Sequence, residues 1–204
     1  MLSQSSAGDS TMTKSRPSRA LLATLALCTA LTLLLSFSPA LVSAQQHATD
    51  IQVKAAYLYN LGKFVRWHDR MPSLDSLEIC VLGKDPFGAV LDSTVAGESI
   101  DGRKITVRRV AKVQDAAPCS ILFVSSSEEG RLGSILTSLQ PLSVLTVSDV
   151  PHFAEKGGMI GFVMQEERIR FEVNLGATER SHLALSSELL KVATRVIGNG
   201  IPGN

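Results

Sequence analysis

Histidine and cysteine are scarce in this chain, with four of the first and three of the second among 204 residues. None of His47, His68, His152 and His182 stands at metal-ligand spacing to another histidine or to a cysteine, so no zinc-type pattern is present. The sequence also lacks a Gly-x-Ser-x-Gly elbow and a His-Glu-x-x-His helix, and no Gly-x-Gly-x-x-Gly run opens a strand–helix unit. Ser125-Ser126-Ser127 forms the one nucleophile-like cluster, and helix capping accounts for it. Glu166, Glu167 and Glu172 read as an exposed turn and a salt-bridged strand face. No catalytic residue, metal site or cofactor is therefore assigned. An excess of charge is missing as well: 20 Lys and Arg face 19 Asp and Glu, which gives no electrostatic footprint for nucleic acid or an anionic membrane.

Long apolar runs are not lacking. Lys14, Arg16 and Arg19 precede an almost wholly apolar stretch from Ala20 to Phe37, and Val42-Ser43-Ala44 supplies small residues for cleavage. That pattern predicts a signal peptide over residues 1–44 and export, the alternative being a retained membrane anchor. Removing it takes three basic residues and one acidic residue and leaves one domain, residues 45–204, with a net charge of −1. Of the cysteines only Cys80 and Cys119 remain in the exported part, where a pair is expected to be oxidised; the alternative is two buried free thiols.

The most distinctive stretch is Gly157 to Leu175. Its alternation over Met159 to Met164 and again over Arg168 to Val173 predicts a β-hairpin, with Gln165, Glu166 and Glu167 as the turn and Gly157-Gly158 at the entry. Upstream, Thr49 and Gln52 have capping-box spacing and open a helix ending before Met71-Pro72. Ile51, Ala55, Leu58, Gly62 and Val65 share one face of it, while Tyr57, Asn60, Phe64 and Trp67 form a second stripe, either core or aromatic surface for a partner. Short strands with apolar positions follow at Leu77 to Gly83, Arg103 to Val110, Pro118 to Val124 and Ser143 to Val147. Between them come helices, one after Asp85-Pro86 running through Leu91 and one after Ser126 with Leu132, Ile135, Leu136 and Leu139 inward. The passage after Gly83 is not a phosphate loop: it lacks the Gly-Lys-Ser/Thr ending and carries Asp85. Arg103, Lys104, Arg108 and Arg109 form the densest basic cluster, a solvated strand face or a match for an acidic partner.

Past the hairpin, Ala177 to His182 reads as a polar connection, and Ser186 opens a last helix with Leu189, Leu190, Ala193, Val196 and Ile197 on one face, stopped by Gly198. Asn174, Arg180 and His182, close together at the hairpin exit, are the one polar grouping suited to a small carboxylate or phosphate; capping and surface pairing are the alternative. Alternating strands and helices predict a single α/β domain whose largely parallel sheet is flanked by helices, with the antiparallel hairpin near the C-terminal part.

Seven ordered blocks, KAAYLYNLGKFVRW, LEICVLGKDPFG, CSILFVSSS, VLTVSD, GGMIGF, RFEVNL and LALSSELLKVA, together resemble the YfiR family of periplasmic regulators. The resemblance implies a small α/β periplasmic domain without catalysis that inhibits an inner-membrane diguanylate cyclase through its periplasmic sensor portion. An OmpA-like outer-membrane lipoprotein that sequesters the inhibitor is implied as a second partner. It also implies that Cys80 and Cys119 form the family's strand-linking disulfide and that Arg180 and His182 fall in a proposed small-ligand segment. Some members carry a second cysteine pair flanking the Gly-Gly-Met-Ile turn, where this chain has Ala154 and Gly161. The expected partner surface is Tyr57, Phe64 and Trp67, and a homodimer is expected because symmetric interfaces are the common case.

Overall fold

The computed structural model describes residues 39–67 and 75–198, with side chains from Thr49 onward; the basic and apolar parts of the expected signal peptide lie outside them. The described residues from Gln45 onward belong to one compact unit. No helix among the described residues is long and apolar enough to cross a membrane.

Helix α1, Pro39–Phe64, begins ten residues before the expected Thr49 start. It buries Ala55, Leu58 and Leu61, three residues apart on one face, and Gly62 lies against Ile100 and Leu77. Lys54 on the same helix reaches Asp149 at 2.7 Å, which pins α1 to a position far along the chain. At Val65 the backbone leaves the helix for strand β1, Val65–Trp67, which pairs antiparallel with β9, Leu183–Leu185. Trp67 is therefore not on the helix. Its strand turns Val65 and Trp67 inward and Arg66 outward, and Trp67 is only 5 % exposed.

The main sheet has eight strands in the order β10-β8-β7-β6-β5-β2-β4-β3. Its centre is β2 (Ser76–Leu82), β4 (Arg103–Val110), β5 (Ile121–Val124), β6 (Leu145–Ser148) and β7 (Ile160–Gln165), all parallel. Antiparallel strands sit beyond them: β3, Ser99–Ile100, on β4, and β8, Arg168–Asn174, on β7. The expected α/β domain with a largely parallel sheet is what the chain forms. In β2, Ile79 and Val81 face one core and Cys80 and Leu82 the other; in β5, Ile121 and Phe123 oppose Leu122 and Val124 in the same way. On the first face lie α1, α2 (Ala89–Val95), α4 (Leu175–Arg180) and α5 (Ser187–Val192); on the second lies α3, Leu132–Leu139, with Leu132, Ile135 and Leu139 inward.

Four boundaries depart from expectation, each for a local reason. Asp85 does bind a backbone N–H, but that of Phe87, so it closes a turn and α2 starts only at Ala89. Ser125 rather than Ser126 caps the turn after β5, a 3₁₀ segment Ser126–Arg131 leading into α3. The polar connection after the hairpin is helix α4, since the Asn174 side chain accepts the Ala177 N–H at 2.9 Å and opens it. Lastly, α5 ends at Val192 and Arg195–Ile197 is strand β10, parallel to β8. Thr194 sends both its N–H and its hydroxyl to the Phe171 carbonyl, and Arg195 pairs with Glu172, so side-chain hooks and β-branched residues override the helical spacing.

The β7–β8 hairpin forms as the alternation requires, with Gln165 opposite Arg168 across a two-residue turn. Glu166 and Glu167 both take positive φ, 49° and 58°, the conformation a two-residue turn needs to match strand twist. Glutamate adopts it at a cost that asparagine and glycine avoid. At the hairpin entry, a Cβ on Gly158 would overlap the Phe153 ring at 2.1 Å, so the turn before β7 closes only over glycine. Replacing Glu166→Asn together with Glu167→Gly is expected to stabilise the protein by about 1 kcal/mol. A raised urea midpoint at unchanged slope is the predicted readout, and an unchanged or lower midpoint contradicts it.

Candidate functional site

Asn174, Arg180 and His182 do not converge. Asn174 is consumed by structure: its amide donates to the Ala154 carbonyl at 2.8 Å while its oxygen caps α4. His182 takes a positive φ of 57° just past the helix and is exposed. Arg180 alone of the three reaches a cavity, a cleft of about 260 Å³ between α3, the segment before β7 and the C-terminal end of α4, with Leu136, Gln140, Lys156, Met159 and Ser181 among its walls. Lys156 is held by Glu129 at 2.9 Å, whereas Arg180 makes no ion pair among the described residues. Beneath them Thr146 and Met159 lock together, the Thr146 hydroxyl accepting the Met159 N–H at 3.1 Å. The cleft thus offers a free guanidinium over an apolar floor, an arrangement that suits an anionic group on a small apolar body. The sequence does not group its other residues, because they come from α3 and from the segment after β6, which lie apart along the chain and meet only in the fold.

The aromatic stripe of α1 divides between core and surface. Tyr57 is half-buried, its ring 5.8 Å from Phe162 and 5.5 Å from Phe171, and Phe64 is half-buried too. Trp67 is core, 5.9 Å below the guanidinium of the buried Arg103. An aromatic face for a partner can draw on Tyr57 and Phe64 but not on the Trp67 ring.

The basic strand is largely neutralised from within. Arg108 grips Glu78 with two bonds of 2.9 and 3.0 Å, and Arg109 bridges Asp85 and Asp92 at 2.9 and 2.6 Å. Beside Arg109 the Asp92 carboxyl is held below its ordinary range, chiefly by that hydrogen bond. Lys104 is left as the exposed charge of the strand.

Cys80 and Cys119 are bonded, closing a loop of 39 residues between β2 and the start of β5. On the chain-entropy model such a loop contributes about 4 kcal/mol. Glu78 lies close enough to both sulfurs to resemble a metal site, but the sulfurs bind each other and Arg108 holds the carboxylate.

Ala154 and Gly161, where the resemblance implies a second cysteine pair in other members, are adjacent here. A Cβ built on Gly161 lies 3.9 Å from the Ala154 Cβ, within the range a disulfide spans. Replacing Ala154→Cys and Gly161→Cys together is expected to give a second bridge: thiol titration of the denatured, unreduced double variant should find no free thiol beyond those of the parent. Two additional thiols would contradict the placement.

The chain matches the YfiR/HmsC-like family over residues 51–194, which includes every strand of the sheet except β10. Two solved structures are similar at low identity. One is a conserved domain protein from Vibrio cholerae, 10 % identical with a TM-score of 0.45 over 58 % of this chain. The other is the ABC domain from Streptococcus pneumonia in complex with L-Trp, 12 % identical with a TM-score of 0.43 over 59 % of this chain. The chain spans about half the length of each, 54 and 55 %. The family match, covering α1 from Ile51, both cores and the disulfide, establishes that this chain belongs to the YfiR/HmsC-like family.

Proposed function

We propose that the protein is exported to the periplasm with cleavage after Ala44 and acts there by binding, holding the periplasmic sensor portion of an inner-membrane diguanylate cyclase in its inactive state. The observation that carries this reading is the family match over residues 51–194. It is supported by the lack of any catalytic constellation in the sequence. The exposed side of α1 beside Tyr57 and Phe64 is the contact surface in this account, since those rings are only half-buried and stand on a helix anchored by Lys54 and Asp149. An OmpA-like outer-membrane lipoprotein is the partner that would withdraw the inhibitor, and a homodimer is its working form. A second reading, a periplasmic small-molecule sensor without a cyclase partner, is favoured by one observation, the free Arg180 in its cleft.

Deleting the gene is expected to raise cytoplasmic cyclic di-GMP and surface attachment, with restoration by the wild-type gene in trans. Unchanged nucleotide and attachment levels would sink the inhibitor reading and leave the sensor reading standing.

A further inference from the structure

The strand order places a second crevice away from the Arg180 cleft. Read outward from β4, the parallel strands run β4-β2-β5-β6-β7, the 2-1-3-4-5 order of flavodoxin-like sheets. After β2 the chain crosses by α2 to β4, and after β5 it crosses by α3 to β6, in the opposite direction. The loops leaving β2 and β5 therefore part above adjacent strands, and in open α/β sheets ligands bind at that switch point. A crevice of about 410 Å³ opens there, lined by Lys84, Asp85, Pro86, Ser125, Ser126 and Ser127.

The walls of this crevice are held in place. Gly83 takes a φ of 91° and approaches so closely that a Cβ on it would meet the Ser127 Oγ at 2.6 Å. The Lys84 N–H donates to that same Oγ at 2.9 Å, which stitches one loop to the other. The Ser125 hydroxyl, 4 % exposed, accepts the Ser127 N–H and lies 3.3 Å from the Ser127 hydroxyl. Asp85, the residue that speaks against an anion in the sequence, is saturated: one oxygen accepts the Phe87 N–H at 2.7 Å and the other the Arg109 Nε at 2.9 Å. Two groups in the crevice have no structural task. Lys84 is exposed with no ion pair among the described residues, and the Ser126 hydroxyl, freed because Ser125 is the cap, has no hydrogen-bond partner among them. An ammonium and a hydroxyl donor over a rigid serine turn match a compact, tetrahedral oxyanion, for which lysine serves as a point charge.

We propose that this switch-point crevice binds the phosphoryl group of a small solute, with Lys84 supplying the charge and Ser126 a hydroxyl donor. The site is independent of the Arg180 cleft and of the cyclase reading. Titration of the isotopically labelled mature protein with inorganic phosphate, against sodium chloride of matched ionic strength, tests it by amide chemical shifts. Phosphate-specific shifts are expected at residues 83–85 and 125–127. Lys84→Met is expected to weaken binding by about tenfold or more, the loss of one charge-assisted contact, and Ser126→Ala to weaken it by less. Arg180→Ala should leave the shifts at residues 83–85 and 125–127 as in the parent. Shifts confined to residues 133–140 and 177–181, no shift beyond the chloride control, or a Lys84→Met protein that binds as tightly as the parent would each overturn the proposal.

Discussion

Residues Ile79–Leu82 of β2 and all of β5 have no solvent face, and that constraint shapes the rest of the molecule. Ile79, Val81, Ile121 and Phe123 need cover on one side, and Cys80, Leu82, Leu122 and Val124 on the other. Each such side chain contributes roughly 1.5–3 kcal/mol when fully buried, so neither core is dispensable. One face is closed by α1, whose distance along the chain from the sheet is bridged by Lys54 and Asp149; the other is closed by α3 and by Phe153 packed over Gly158. The disulfide sits in the second core, where it joins β2 to the lead-in of its neighbour β5 and removes freedom from the unfolded chain at the place where the sheet is most deeply buried.

Polar groups follow the same logic. The cationic strand β4 does not present a basic face, because Arg108 and Arg109 are spent on Glu78, Asp85 and Asp92 beside the sheet. Asn174 is spent on capping α4 and on the Ala154 carbonyl. Among the described residues the charges left outside such pairs include Lys104 on β4, Arg180 in its cleft, and Lys84 beside Ser126 at the switch point. A regulatory protein that works by binding needs such residual groups on a rigid frame, and the frame here leaves them at the ends of secondary-structure elements.

Legibility in the sequence tracked the range of the interactions involved. The hairpin could be read from its period of two, and β4 from its bounds, because both follow from residues that are neighbours along the chain. The cysteine pair could be read from the compartment argument. The β1–β9 ribbon could not, since Val65–Trp67 is extended only by pairing with Leu183–Leu185, and the helical spacing of Trp67 with Phe64 and Asn60 pointed elsewhere. The same holds for β10, where Thr194 is captured by Phe171, and for α4, where a capping asparagine outweighs a polar composition. Of the expected ligand residues only Arg180 lines a cleft; its companions in that cleft come from α3 and the loop before β7 and carry no local signature.

Regulation by binding is the central claim, and the partner we propose is a membrane protein. The most direct measurement is recovery of tagged mature protein from cross-linked, detergent-solubilised envelope, with the parent compared against a variant bearing Tyr57→Ala and Asn60→Arg on the half-buried flank of α1. The account predicts that the parent retains an inner-membrane diguanylate cyclase and that the α1 variant, folded by circular dichroism, loses it. Equal retention by both proteins would contradict the α1 surface, and absence of any cyclase from the parent's eluate would contradict the claim itself.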